Sequence, residues 1–173
     1  MGIINLLHIS DSHINCKGKE EISEITQKLC EDVLKVQKEK GVTIDVICFS
    51  GDLIQSGAEA MEGEKQWELA REILIKPLID KLELDEKDVL LTPGNHEVKT
   101  QKIEKMVESG LSNIHSLDAI SDLMGSFNEL YVQRLDYFYE YVKNCYDGIQ
   151  SDGLGYALTK KIHGINVGFA CES

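Results

Sequence analysis

The chemistry in this chain gathers where apolar runs stop. Val89-Leu90-Leu91 gives way to Thr92-Pro93-Gly94-Asn95-His96-Glu97, which sets an amide oxygen, an imidazole and a carboxylate in a turn that Pro-Gly alone could make. Leu6-Leu7-His8-Ile9-Ser10 runs into Asp11-Ser12-His13 in the same way, and Ile44 to Phe49 runs into Ser50-Gly51-Asp52. Together Asp11, His13, Asp52, Asn95 and His96 offer two carboxylates, two imidazoles and an amide without a thiolate. That set suits a borderline or hard divalent ion such as manganese, iron or zinc. A carboxylate such as Asp52 can bridge two ions that share a hydroxide and clamp the oxygens of a phosphoryl group. His96 stands beside these groups and can protonate a leaving oxygen. Glu97 can orient that imidazole or cap a following helix.

The elements that must position these groups alternate. Ile3 to Ile9 is a nearly continuous apolar run, as for a strand buried on both faces. Ile22, Ile25, Leu29, Val33 and Val36 then recur at helical spacing, with Gly41 as the stop. Ile44 to Phe49 is a second strand. Trp67, Ala70, Ile73 and Leu74 mark a second helix, which Pro77 should break or kink before Leu78 and Leu82. Val89 to Thr92 is the third strand. Strand, helix, strand, helix, strand predicts a parallel sheet with right-handed crossovers. Asp11, Asp52 and Asn95 are each roughly forty residues from the next, room for one such unit. All carboxyl ends of a parallel sheet lie on one edge, so the five groups should converge on one crevice.

From Gln101 to Asp147 the pattern changes to a helical stripe of Phe127, Tyr131, Leu135, Phe138 and Val142. The segment is rich in tyrosine and reads as a helical insertion, about 101–147, lying over or beside the sheet edge, its aromatics a core stripe. Tyr156 to Lys161, His163-Gly164 and Ile165 to Ala170 predict a β-hairpin. His8, inside the first strand, is expected to be a core histidine with its hydrogen bonds satisfied.

The 173 residues fit one domain with a real core. A net charge of −12 repels phosphate backbones and argues against broad nucleic-acid binding. No apolar run is long enough to cross a bilayer, and residues 1–7 lack the features of a signal peptide. The five cysteines, Cys16, Cys30, Cys48, Cys145 and Cys171, are scattered without a CxxC, which reads as reduced thiols and a cytoplasmic location.

Asp11-Ser12-His13, Gly51-Asp52 and Gly94-Asn95-His96-Glu97 resemble, in order and spacing, the motifs of the calcineurin-like metallophosphoesterase superfamily. The flanking residues look most like the bacterial branch that includes class III cyclic-nucleotide phosphodiesterases. The resemblance implies an α/β fold whose βαβαβ parallel or mixed sheet is half of a four-layer α/β/β/α sandwich. It implies a hydrolase with two divalent metal ions acting on a phosphodiester or phosphomonoester, a small phosphoester or a nucleotide first. In it Asp11 and His13 hold the first metal, Asp52 bridges, Asn95 holds the second, and His96 is the proton donor. One departure matters: the family's later histidines, one alone and a pair in Gly-His-x-His, do not appear, and neither His115 nor His163 has the right context. Residues 1–173 are therefore expected to be a single, incomplete domain, completed by further chain or a partner chain and inactive alone. The rival expectation is a phosphoesterase fold kept for binding or regulation.

Overall fold

The computed structural model describes residues 2–15, 17–55, 60–99, 115–119, 121–122, 133–146, 149–151 and 155–172. Cys16, Phe127, Tyr131, Asp147 and most of the 101–147 insertion lie outside them.

Three parallel strands form the first sheet: β1 (Leu6–Ile9), β2 (Val46–Ser50) and β3 (Val89–Thr92), in the order β1-β2-β3. Ile9 pairs with Phe49 and Phe49 with Leu91, so the three carboxyl ends are level. β2 is the central strand, with Val46 and Ile47 fully buried and Phe49 2% exposed. β1 departs from expectation. It is shorter than Ile3 to Ile9 and is not buried on both faces: Leu6 is 47% exposed and Ile3 75%. The reason is cover: both β1 and β3 are edge strands, but the second sheet reaches β3 through Tyr156 and leaves Leu6 of β1 open. His8 is likewise an exposed residue rather than a core one, though its Nε2 does meet the Ser50 hydroxyl at 2.6 Å.

Between β1 and β2 runs α1 (Lys19–Lys40). Asn15 Oδ1 accepts from Lys17 N and Gly18 N just before it, and Gly41 ends it in the left-handed conformation. Glu20 and Glu21 in its first turn and Lys38 and Lys40 in its last complement the helix dipole. Its buried residues are Thr26, Cys30 and Val33, with Ile22 and Leu29 packed beside them. Ile25 and Val36 were expected in that stripe but are 57% and 50% exposed. Threonine and cysteine hold the places that an apolar-only reading assigns elsewhere.

The second crossover is one helix with a local change of pitch. α2 (Ala60–Ala70) passes through a π-turn at Arg71–Ile75 into α3 (Lys76–Leu82). Pro77 does not break it. The wider π-turn directly ahead accommodates the missing proline N–H, and Ile73, Leu74, Leu78 and Leu82 stay buried. α4 (Asp136–Cys145) buries Phe138, Tyr139 and Val142, and Tyr141 stacks on Trp67 of α2 at 4.7 Å. Within the described residues the aromatic stripe is core.

A second, antiparallel sheet contains β4 (Gln150–Ser151), β5 (Gly155–Ile162) and β6 (Ile165–Glu172), with the expected hairpin turn at His163-Gly164. Both turn residues have positive φ, 49° and 81°, as a two-residue type I′ turn demands. Three side chains tether this hairpin to the first sheet. His163 Nε2 lies 2.7 Å from Asp45 Oδ1. Lys160 Nζ meets Asp88 Oδ1 at 2.6 Å and also reaches the Lys87 carbonyl. The Tyr156 hydroxyl donates to Leu91 O at 2.6 Å and accepts from Leu91 N at 2.9 Å, so it substitutes for a neighbouring strand on β3. Burial raises the Tyr156 pKa above its ordinary value and keeps the hydroxyl proton in place for the first of these bonds. Tyr156→Phe leaves both buried Leu91 groups unpaired and is expected to lower stability by about 1–3 kcal/mol. Urea denaturation checks this, and an unchanged midpoint would contradict it.

Candidate metal centre

Beyond β1 and β2 the chain does not splay apart. Asp11 N donates to Gly51 O, His13 N to Asp52 O, Ile14 N to Leu53 O and Gln55 N to Ile14 O, at 2.9–3.2 Å. The two motif loops thus run side by side past the end of the sheet, anchored by Ile14 and Ile54, both fully buried. Asp11, His13 and Asp52 all have positive φ, 56°, 44° and 54°. L-residues rarely adopt this conformation, and where it persists the surroundings over-determine it, commonly at functional sites. Here the fourfold zip between the loops imposes it.

The third loop is pressed against the second. A Cβ on Gly51 would sit 2.9 Å from Gly94 Cα, and one on Gly94 would sit 2.3 Å from Asp52 Oδ1. Both positions need glycine. Glu97 supplies the attraction. Its carboxylate is 2% exposed and accepts from Gly94 N at 2.6 Å, Asp52 N at 2.9 Å and Ile54 N at 3.1 Å. This corrects the expected roles: Glu97 neither orients His96 nor caps a helix among the described residues, but ties two loops together through their backbones.

The loops converge on a small cluster. His13, Asp52 and His96 each present a ligand atom, and these atoms lie within 4.8 Å of one another. The two rings meet edge to face with centroids 4.5 Å apart. Asp52 Oδ1 accepts from His96 N at 3.0 Å, which fixes the carboxylate and leaves its other oxygen for a ligand. His96 Nδ1 meets the Gln55 carbonyl. His13 Nδ1 is buried without a partner, a costly state that a cation would relieve. On this observation the residues fit a divalent ion. Asp11 reaches the cluster only through His13, its Oδ1 3.9 Å from His13 Nε2, and its side chain is 68% exposed. Asn95 is exposed, and its side chain makes no hydrogen bond among the described residues.

The remaining candidates stand apart. His163 pairs with Asp45 at the amino-terminal end of β2, opposite the cluster, and His115 is exposed. Cys30, Cys48, Cys145 and Cys171 are free, and burial pushes the Cys48 and Cys145 thiols each up to about 11, unlike the thiolates that bind metals. Two contributors escaped the sequence reading. The Gln55 carbonyl has no side-chain signature. Lys99 is 9% exposed, sits over the Tyr137 ring at 3.3 Å and lies 3.5 Å from Asp136, while its N–H bonds Arg134 O at 2.8 Å. It fastens the third motif loop to the segment that leads into α4, and its only sequence signal is its place two residues after Glu97.

A parallel sheet that delivers imidazoles and a carboxylate to one edge can hold a divalent ion there. Residues 4–166 match the family description "Calcineurin-like phosphoesterase", and the chain belongs to that family. No curated protein matches it. Gly94→Ala drives a methyl group into Asp52 and is expected to weaken divalent-ion binding by roughly 10–100-fold with the far-ultraviolet circular dichroism spectrum retained. Calorimetric titration with manganese checks this, and wild-type affinity would contradict the packing argument.

Proposed function

We propose that this protein hydrolyses a phosphoester, a diester or a monoester, with divalent metal held at the carboxyl edge of the parallel sheet. The observation that carries the reading is the clustering of His13, Asp52 and His96, with a buried, unpartnered nitrogen on His13, in a chain of this family. A divalent ion bound there supplies Lewis acidity and makes water a nucleophile near neutral pH. The protein's own part is positional. The His96 N–H holds one oxygen of Asp52, Glu97 holds the Asp52 loop through its backbone, and the Gln55 carbonyl holds the His96 ring.

The finer reading is a two-ion site. In it Asp52 would be shared, Asp11 and His13 would hold one ion and Asn95 the other, with manganese, iron or zinc as the metal. Two ions need more donors than the described residues bring together here, so we infer that a second ion would take further ligands from outside this cluster. The charge of −12 favours a small phosphoester or nucleotide over a long polyanion. Among the described residues no helix is long and apolar enough to cross a membrane. The family resemblance makes His96 the proton donor, whereas its ring lies within the ligand cluster.

The test is hydrolysis of p-nitrophenyl phosphate and bis-p-nitrophenyl phosphate with added manganese, in the longest natural chain containing these residues. Turnover is expected to vanish with chelator, and Asp52→Asn, which removes the shared charge, is expected to lower it by about 10²-fold or more with the fold intact. Turnover indifferent to both chelator and Asp52→Asn would overturn the reading.

A further inference from the structure

We propose that His8 and Ser50 form a substrate-contacting pair, which donates a hydrogen bond to an oxygen of the bound phosphoester that the metal leaves open. The inference rests on the metal-dependent reading above and adds a contact to that site. His8 Nε2 meets the Ser50 hydroxyl at 2.6 Å, and both residues are exposed.

Placement is the first support. In register His8 lies opposite Cys48, yet its ring meets Ser50, two residues further toward the carboxyl edge. The imidazole therefore leans along β1 toward the edge that carries the cluster. Ser50 is the last residue of β2 and stands two residues before Asp52, which keeps their Cα atoms within about 7 Å. A phosphoryl group held beside Asp52 is thus about a side chain's length from the pair.

The second support is the count of hydrogens. A neutral imidazole carries one hydrogen and a serine hydroxyl another, and the bond between them uses only one. If Ser50 donates, Nδ1 of His8 keeps its hydrogen. If His8 donates, the Ser50 hydroxyl keeps its own. One hydrogen is left over in both arrangements, and neither side chain has a second hydrogen-bond partner among the described residues.

The third support is the need for donors. No lysine or arginine lies in the stretches Ser10 to Asn15, Ser50 to Gln55 and Pro93 to Val98. Lys99, just beyond the last, is held against Tyr137 and Asp136. Phosphoryl oxygens that a metal leaves open must then be met by neutral donors, and a hydrogen bond to an anionic oxygen is the stronger kind. A purely structural role explains the pair less well. Backbone pairing already joins β1 to β2, and a hydrogen bond open to water adds little to stability.

Phenylphosphonate, a phosphomonoester analogue without a scissile ester bond, tests this in the zinc-loaded, isotopically labelled chain, through long-range proton–nitrogen spectra of the histidine rings. The His8 ring nitrogens are expected to shift saturably with phenylphosphonate, while those of His163, at the other end of the sheet, stay unmoved. A shift of His13 or His96 without His8 overturns the inference and leaves the metal-dependent reading standing. No shift of any of the three at millimolar phenylphosphonate overturns both. As a second arm, His8→Ala combined with Ser50→Ala is expected to weaken phenylphosphonate binding in calorimetry by roughly 10-fold, with zinc affinity unchanged. Equal losses of zinc and phenylphosphonate affinity would make the pair a structural support, and unchanged phenylphosphonate affinity would remove the contact; either result overturns the inference.

Discussion

One buried carboxylate holds the candidate site together. Glu97 accepts three backbone hydrogen bonds, from Gly94, Asp52 and Ile54, at 2.6–3.1 Å. Hydrogen bonds to an ionised acceptor are stronger than neutral ones, and three of them offset much of the cost of burying the charge. The consequence is geometric. The loop after β3 is drawn onto the loop after β2 until Gly94 touches Asp52, and only then does the His96 N–H reach Asp52 Oδ1. The loop after β1 joins by a different means, its ladder of backbone bonds to Gly51, Asp52, Leu53 and Gln55. The candidate cluster is thus assembled largely by backbone groups, with the Asp52 carboxylate joining through the His96 N–H.

This division explains the strained conformations. A metal-binding side chain on a regular strand would point across the sheet. Turning Asp11, His13 and Asp52 into the left-handed region redirects them, at a cost of about 1–3 kcal/mol each. That strain persists because the neighbouring N–H and C=O groups are already committed. The second sheet, tethered at Leu91, Asp88 and Asp45, stiffens β3 and the start of β2 from behind.

What the sequence made legible is the handover from apolar run to chemistry. The parallel order follows from alternating elements, β3 from the run Val89 to Thr92, and the hairpin from His163-Gly164 between two runs of alternating residues. The convergence of Asp52 with His13 and His96 needs nothing beyond the rule that parallel strands end on one edge. The exposure of β1 and of His8 was not legible, because it depends on which edge of the sheet another element covers, and that of Ile25 was not, because Thr26 and Cys30 take the buried face of α1. The π-turn was missed because Pro77 announces a lost hydrogen bond without saying how a helix absorbs it. Glu97 and Gln55 act on or through the backbone, and a backbone partner some forty residues away leaves no mark in a motif.

The central claim is that His13, Asp52 and His96 enclose a metal position. A crystal of the chain soaked in manganese, measured for anomalous scattering, tests it most directly. The account predicts the strongest anomalous peak at that cluster, against Asp52 and His13. A peak elsewhere on the acidic surface, with the cluster empty, would contradict it.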